Sequence, residues 1–275
     1  EDRVSTYPGR VTLTPVSGTT DTYDMVRADV PIAEGTPINK VLFDSKAYTL
    51  TEDITVYVSR SGSDLTGDGT VDAPFATIQA AVDAIPKTLG GYTAQIDIEA
   101  GTYDERVVCM GFTGGKLIIG KPGSTFTMNG IDIVGCNFVE TNIHRIAYNL
   151  TGSKGLFEAS NGSRVLINSD MTIDGLSQAA TGIRAIDGSS IAVRDNRIIT
   201  ANNCGGVANA LNCSMISFSI LTGSDNTFGM MAYRGSIISY SEDTLSKLWS
   251  NDANSGGLVL TGNNSTTLSG ATIEL

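Results

Sequence analysis

The sequence predicts an all-β fold, a parallel β-helix with one short helix near its N-terminal end. Two observations support this prediction. A small residue recurs at intervals of 21 to 27 residues, with apolar residues third and fifth after it. Helical periodicity, in contrast, is confined to one stretch, "PFATIQAAVDAIP", from Pro74 to Pro86. Evenly spaced short strands with a common corner are typical of a solenoid.

The repeat has five clear members: Gly114 with Leu117 and Ile119, Gly162 with Val165 and Ile167, Gly188 with Ile191 and Val193, Cys213 with Ile216 and Phe218, and Gly235 with Ile238 and Tyr240. Two looser members begin at Gly135, with Phe138, and at Gly256, with Val259. Serine follows the small residue in four of the seven, which indicates a repeated corner. Helical repeats need a period of about 3.6 that these segments lack. A β-sandwich is the structural alternative, but it gives no reason for the common register.

The single helix is predicted to cover the N-terminal end of the stack. Its apolar stripe consists of Ile78, Ala81, Val82 and Ile85. Thr77 is suited to cap its start and Pro86 to end it, and Gly90 and Gly91 then turn the chain into the first coil. The first coil of a β-helix needs such a cover, because its strand edges and apolar interior would otherwise face water.

Composition excludes several classes of function. The formal charge of −11 is unsuited to a nucleic-acid partner. The four cysteines (Cys109, Cys136, Cys204 and Cys213) form no CxxC motif, and His144 is the only histidine, so we predict buried thiols, no metal site and no cofactor. The chain has no apolar run long enough to span a membrane and no export signal, which predicts a soluble protein made in the cytosol.

The segment around the helix resembles the start of pectin-lyase-like right-handed β-helices. The similarity covers about residues 55 to 125 and includes "TIQAAVDA" and a following G-x-Y-x-E-x-V strand, here Gly101, Tyr103, Glu105 and Val107. The resemblance implies a single-stranded right-handed parallel β-helix. It implies little about chemistry, because this superfamily includes lyases, esterases, hydrolases and non-catalytic virion proteins.

A second resemblance lies upstream, in residues 5–44. Three pieces, Tyr7–Val16, Tyr23–Asp29 and Glu34–Lys40, look like the N-terminal segment of tail-associated structural proteins in phages and prophages of Gram-positive bacteria. The resemblance implies that residues 1–50 are an attachment segment, followed by the first strand and capping helix in 51–91 and the β-helix in 92–275. Five residues of the shared pieces are attachment candidates: Tyr7, Arg10, Tyr23, Arg27 and Asn39.

The sequence gives little support for catalysis. The paired motifs of pectin methylesterases, polygalacturonases and pectate lyases are absent, and so is the G-x-S-x-G of serine hydrolases. Four aspartates can in principle form a glycosidase pair, although turn and surface positions explain them better: Asp170, Asp174, Asp187 and Asp195. Asp64, Asp68 and Asp72 faintly suggest calcium, but they fail the EF-hand pattern, so we predict a plain turn.

Aromatic residues near the C-terminal coils are the candidates for sugar contact. Tyr233, Arg234 and Trp249 are predicted to bind glycan, whereas Tyr240 falls on an inward position and is assigned to the core. We therefore expect a virion tail fibre or tailspike, made in the host bacterial cytoplasm, that binds host cell-surface carbohydrate and other tail or baseplate proteins. The resemblance implies a homotrimer. The alternative is a β-helical enzyme, a hydrolase or lyase, that degrades the same polysaccharide.

Overall fold

A computed structural model of the chain describes residues 4–5, 11–16, 23–27, 31–33, 49–147, 155–175, 180–245, 252–254, 258–261 and 266–267. The chain divides into two compact units, residues 1–47 and 48–275. Within the described residues, no helix is long and apolar enough to cross a membrane.

The described residues of the first unit form two pairs of antiparallel strands. Its strands are β1 (Val4–Ser5), β2 (Val11–Pro15), β3 (Tyr23–Arg27) and β4 (Pro31–Ala33), with β1 paired to β4 and β2 to β3. Tyr23 lies opposite Pro15, and Arg27 lies opposite Val11. Two of the three pieces shared with tail proteins therefore form one hairpin. The candidates Tyr7, Arg10 and Asn39 lie outside the described residues.

The described residues of the second unit form a parallel β-solenoid with one helix, as predicted. Its first elements are β5 (Ile54–Val58), α1 (Ile78–Ala84), β6 (Thr93–Ile98), β7 (Gly101–Met110), β8 (Lys116–Ile119), β9 (Phe126–Val134), β10 (Val139–Thr141), β11 (Arg145–Ala147) and β12 (Gly155–Ser160). Next come β13 (Arg164–Ile167), β14 (Met171–Asp174), β15 (Thr181–Ala185), β16 (Ser190–Val193), β17 (Ile198–Asn202) and β18 (Gly206–Ala210). The last described elements are β19 (Met215–Gly223), β20 (Phe228–Tyr233), β21 (Ile237–Leu245), β22 (Asp252–Asn254), β23 (Leu258–Thr261) and β24 (Thr266–Thr267).

The strands stack in three parallel columns, and each column contributes one strand to each complete coil. Column 1 contains β5, β6, β8, β10, β13, β16, the first halves of β19 and β21, and β23. Column 2 contains the first halves of β7 and β9, then β11, β14, β17 and the second halves of β19 and β21. Column 3 contains the second halves of β7 and β9, then β12, β15, β18, β20 and β22. The terminal pair of β23 and β24 is antiparallel.

The apolar positions of the repeat fill the interior. Both apolar residues of all five clear members are buried, and Tyr240 is buried as predicted. For the looser member at Gly135, the sequence prediction is wrong by one residue. Val139, not Phe138, pairs with Leu117 and Val165 on the neighbouring coils. The corner after Gly135 is therefore one residue longer than the others, and the strand begins one position later.

The helix packs as the sequence predicts. Its four stripe residues are buried, and α1 contacts β5, β6 and β7, the first strands of the stack. Thr77 is the N-cap residue, and its Oγ1 accepts a hydrogen bond from Ala80 N at 3.2 Å. The helix ends just before Pro86, with Ile85 as the C-cap residue. Apolar burial on one face thus holds this short helix against the first coils.

A buried serine ladder explains the repeated corner. Four serines are buried where column 3 turns into column 1: Ser163, Ser189, Ser214 and Ser236. The backbone N–H of each of the first three donates to the hydroxyl of the next, at 3.1 to 3.2 Å. Each hydroxyl thus satisfies an amide that the corner removes from the strand ladder. Cys136 takes the serine position in the preceding coil, and its N–H donates to Ser163 Oγ at 3.1 Å.

The cysteines differ in exposure. Cys109, Cys136 and Cys204 are buried as predicted, but the prediction is wrong for Cys213, which is exposed. Cys213 stands where the other corners have glycine and has a left-handed φ of 61°, which turns its side chain away from the interior. Burial raises the pKa of Cys204 to about 12 and also raises the pKa of Cys109 and Cys136.

We expect a thiol reagent at pH 8 to modify one cysteine of the native protein rapidly and all four after unfolding. The buried thiols are inaccessible, and their raised pKa leaves almost no reactive thiolate at this pH. Colorimetric titration of free thiols, followed by peptide mass mapping, measures the result. The Cys213→Ser variant serves as the control and is expected to show no rapid phase. Rapid modification of two or more sites would contradict the burial.

Candidate functional site

Two of the predicted sugar-contact residues, Tyr233 and Arg234, line the same surface groove. This corner groove, of about 340 Å³, lies where column 3 turns into column 1. Trp249, the third predicted contact, lies outside the described residues. The corner groove is lined by residues of three successive coils: Arg184, Ile186, Asp187, Leu211, Asn212, Tyr233 and Arg234.

The repeated corner brings three polar residues into line. Asp187, Asn212 and Arg234 stand directly before Gly188, Cys213 and Gly235, at the equivalent position of successive coils. Their φ angles are 54°, 56° and 55°, so all three are left-handed. Aspartate and asparagine tolerate this conformation, but it is uncommon for arginine. Strain of this kind is concentrated at functional sites, which favours a role for Arg234.

The three side chains form a hydrogen-bonded ladder across the coils. Asn212 Nδ2 donates to Asp187 Oδ1 at 2.8 Å, and Arg234 Nη1 donates to Asn212 Oδ1 at 3.2 Å. A carboxylate, an amide and a guanidinium therefore follow one another along the solenoid axis. Since a guanidinium has five N–H donors, Arg234 has further donors to offer from its exposed position.

The apolar part of the corner groove lies beside this ladder. Ile186, Leu211 and Tyr233 are half-buried, and Tyr233 Oη lies 3.5 Å from Met231 Sδ. At the other end, Arg184 Nη1 pairs with Glu158 Oε2 at 3.2 Å. This pairing leaves Asp187 and Arg234 as the charges that a ligand meets.

This combination suits sugar binding. A sugar ring has apolar C–H faces and a rim of hydroxyl groups, which match an aromatic or aliphatic wall beside planar donors and acceptors. The volume of the corner groove lies at the lower end of the range for ligand sites, about 300 to 1,000 Å³. The corner groove is therefore a candidate glycan subsite on the outside of the solenoid.

The four aspartates considered for catalysis do not converge on one site. Asp170 Oδ1 accepts from Ile198 N at 2.9 Å, which ties a turn to the next coil. Asp174 pairs with Arg145 and accepts from Asn203, while Asp187 belongs to the ladder of the corner groove. Asp195 is exposed in a turn, and His144 is exposed as well.

The aspartates before the helix stabilise local structure. Asp64 Oδ1 accepts from the backbone N–H of Ala76 and Thr77, at 2.8 and 3.0 Å, so it holds the chain at the start of α1. Asp68 accepts from Thr70 N at 2.9 Å, and this hydrogen bond lowers the pKa of its carboxyl group. The described part of the chain contains no cluster of three or more His, Cys, Asp or Glu residues that could hold a metal ion.

One pair of carboxylates on adjacent coils was missed by the sequence analysis. Asp132 and Glu158 are register partners on the outer face of column 3. Arg106 binds Asp132 through Nε and Nη2, and Arg184 binds Glu158. Each carboxylate thus has its own arginine, and both are largely covered. An ion ladder of this kind stabilises stacking and leaves neither carboxylate free for acid–base chemistry.

Two members of the hydrogen-bonded ladder in the corner groove, Asp187 and Asn212, are also absent from the predicted sugar contacts. Asp187 was considered only as a catalytic carboxylate, and Asn212 was not considered. The repeat locates both residues, because they stand immediately before the small corner residues at 188 and 213, just as Arg234 stands before 235.

Comparison of the chain with protein-family models, with curated proteins and with solved structures finds no match.

Proposed function

We propose that this chain is a non-enzymatic, glycan-binding β-solenoid of a phage or prophage tail. Residues 1–50 attach it to other tail or baseplate proteins, and the solenoid binds carbohydrate on the host cell surface. The observation that carries the glycan-binding part is the corner groove, where Tyr233 lies beside the ladder of Asp187, Asn212 and Arg234.

The tail assignment is supported by the resemblance of residues 5–44 to tail-associated proteins. One small groove gives only weak binding, and a tail appendage compensates for this because it is present in several copies. Several copies on one particle, in trimers, raise the overall avidity many-fold without any new contact. A solenoid with a continuous hydrogen-bonded backbone suits such an exposed position.

We propose binding rather than depolymerisation because of the chemistry of the described carboxylates. A glycosidase needs two carboxyl groups about 5 to 9.5 Å apart, with one of them free to donate a proton. Asp132 and Glu158 meet the condition of adjacent coils, but arginines neutralise both. Neither residue lines the corner groove.

We expect Tyr233→Ala to weaken binding to purified host cell-wall polysaccharide about tenfold, because it removes the aromatic wall of the corner groove. Binding is measured by biolayer interferometry of the full chain on immobilised polysaccharide. Tyr92→Ala removes an exposed tyrosine that lines neither the corner groove nor the larger groove at the N-terminal end of the solenoid, and it serves as the matched control, with unchanged binding.

The same samples are assayed for new reducing ends and for unsaturated products. Binding without products supports the proposal. Release of products would overturn the proposal in favour of a depolymerase. Equal losses of affinity in Tyr233→Ala and Tyr92→Ala would mean that the corner groove is not the binding site.

A further inference from the structure

A second and larger groove lies at the other end of the solenoid, outside the first two strands of column 1. This N-terminal groove has a volume of about 720 Å³, well within the range for ligand sites. It is bounded by the ends of β5 and β6, by residues 71–74 before the helix, and by the turn at 121–125.

The floor of the N-terminal groove combines an aromatic ring with a carboxylate. Tyr57 and Asp97 are register partners on β5 and β6, so their side chains lie side by side on the outer face, about 4.8 Å apart at the backbone. Tyr57 is half-buried and presents part of its ring. Hydroxyl groups of Ser59, Ser61 and Thr125 contribute to the same lining.

The charges of the N-terminal groove are unbalanced. Its lining includes three carboxylates, those of Asp72, Asp97 and Glu99, and one ammonium group, that of Lys121. Lys121 Nζ lies 3.0 Å from Asp97 Oδ2, and Ser59 Oγ donates to Glu99. Asp72 is exposed in the segment before the helix and lines the same groove. After the pair of Lys121 and Asp97 is counted, two carboxylates remain to attract a cation.

We propose that the N-terminal groove binds a glycan containing amino sugars with free amino groups. The sugar ring packs on Tyr57, its hydroxyl groups bond to the serine and threonine side chains, and its ammonium group lies between Asp72 and Glu99. This proposal is independent of the corner groove, where Asp187 and Arg234 balance each other. It adds a second subsite with its own selectivity for sugar charge.

The test compares two β-1,4-linked tetrasaccharides that differ only in acetylation, one of glucosamine and one of N-acetylglucosamine. We expect the free amine form to bind the full chain at least about tenfold more tightly at low salt. The preference should shrink at 150 mM salt, because the Debye length falls to about 8 Å. Titration calorimetry measures both affinities. Equal affinity for the two tetrasaccharides would overturn the proposal.

Variants assign the binding to the N-terminal groove. Asp72→Asn is expected to weaken binding of the glucosamine tetrasaccharide about threefold. Lys121→Gln is expected to tighten it about threefold, because it removes the only cation of the lining. Asp195→Asn makes the same charge change at a distant exposed turn and is the matched control. Thermal unfolding confirms that each variant is folded.

Two further arms separate this proposal from its competitors. In a Tyr233→Ala background, which disables the corner groove, Asp72→Asn should still weaken binding of the glucosamine tetrasaccharide about threefold, and disappearance of this effect would transfer the site to the corner groove. A tetramer of lysine presents similar charge without sugar rings. If it binds as tightly as the glucosamine tetrasaccharide, the groove recognises cationic peptide and the amino-sugar proposal is wrong.

Discussion

An Arg106→Met variant is expected to lose about 2 to 4 kcal/mol of unfolding free energy. Arg106 bonds to both carboxylate oxygens of Asp132, and its Nη2 also donates to Gly155 O at 2.7 Å. Methionine keeps much of the aliphatic volume but none of these bonds. Asp132, which is buried, would then lie beside Glu158 on the adjacent strand with no cation of its own. Urea unfolding followed by circular dichroism measures the loss.

A double-mutant cycle distinguishes this effect from lost packing. Arg106→Met combined with Asp132→Asn is expected to be less destabilising than Arg106→Met alone, because the uncompensated charge is gone. Arg164→Met, at an exposed arginine of column 1, is the matched control and should cost less than about 0.5 kcal/mol. If the variants at 106 and 164 lose the same amount, the ion ladder does not stabilise the stack.

The interior of the solenoid was predictable because its pattern is local. Val165 and Ile167 alternate with outward residues at a period of two, and a strand with this alternation has only one way to face the core. The error at Gly135 has the opposite cause. An extra residue in the corner moves the strand to Val139, and corner length depends on how the coils stack.

The outer surface was less predictable, because residues there meet only through the register between coils. Asn212 contacts Asp187 and Arg234, which are 25 and 22 positions away in the sequence. These three residues meet because each stands at the same position of the repeated corner, and the serine ladder holds successive corners in register. Asp132 and Glu158 belong to column 3. The strands of column 3 begin at unequal distances after those of column 2, so the repeat of column 1 does not predict that these two residues pair.

The motif that suggested the fold has a physical role at the helix. Glu105, the acidic residue of G-x-Y-x-E-x-V, accepts hydrogen bonds from the first backbone N–H groups of α1. Its Oε1 lies 2.7 Å from Ile78 N, and its Oε2 lies 3.0 Å from Gln79 N. The Gln79 side chain then bonds to both the N–H and the C=O of Val108. Glu105 of β7 thus bonds to the helix backbone, and Gln79 of the helix bonds to the backbone of β7.

Glu105→Ala is accordingly expected to destabilise the solenoid by about 2 to 3 kcal/mol, because it leaves the backbone N–H groups of Ile78 and Gln79 without their charged acceptor. Glu105→Gln keeps one amide oxygen as an acceptor and should lose about half as much. Asp104→Ala, at the adjacent exposed position, is the matched control and should be near neutral. Urea unfolding measures all three.

Hydrogen exchange shows where the loss occurs. In Glu105→Ala the amides of Ile78 and Gln79, together with the helix that they begin, should lose more protection than the central coils around Ile167 and Ile191. Loosening confined to the helix and first coils would mean that Glu105 acts by holding the cover on the stack. If protection falls equally in the central coils, the solenoid unfolds as one cooperative unit, and the helix is an integral part of its stability rather than a separable cover.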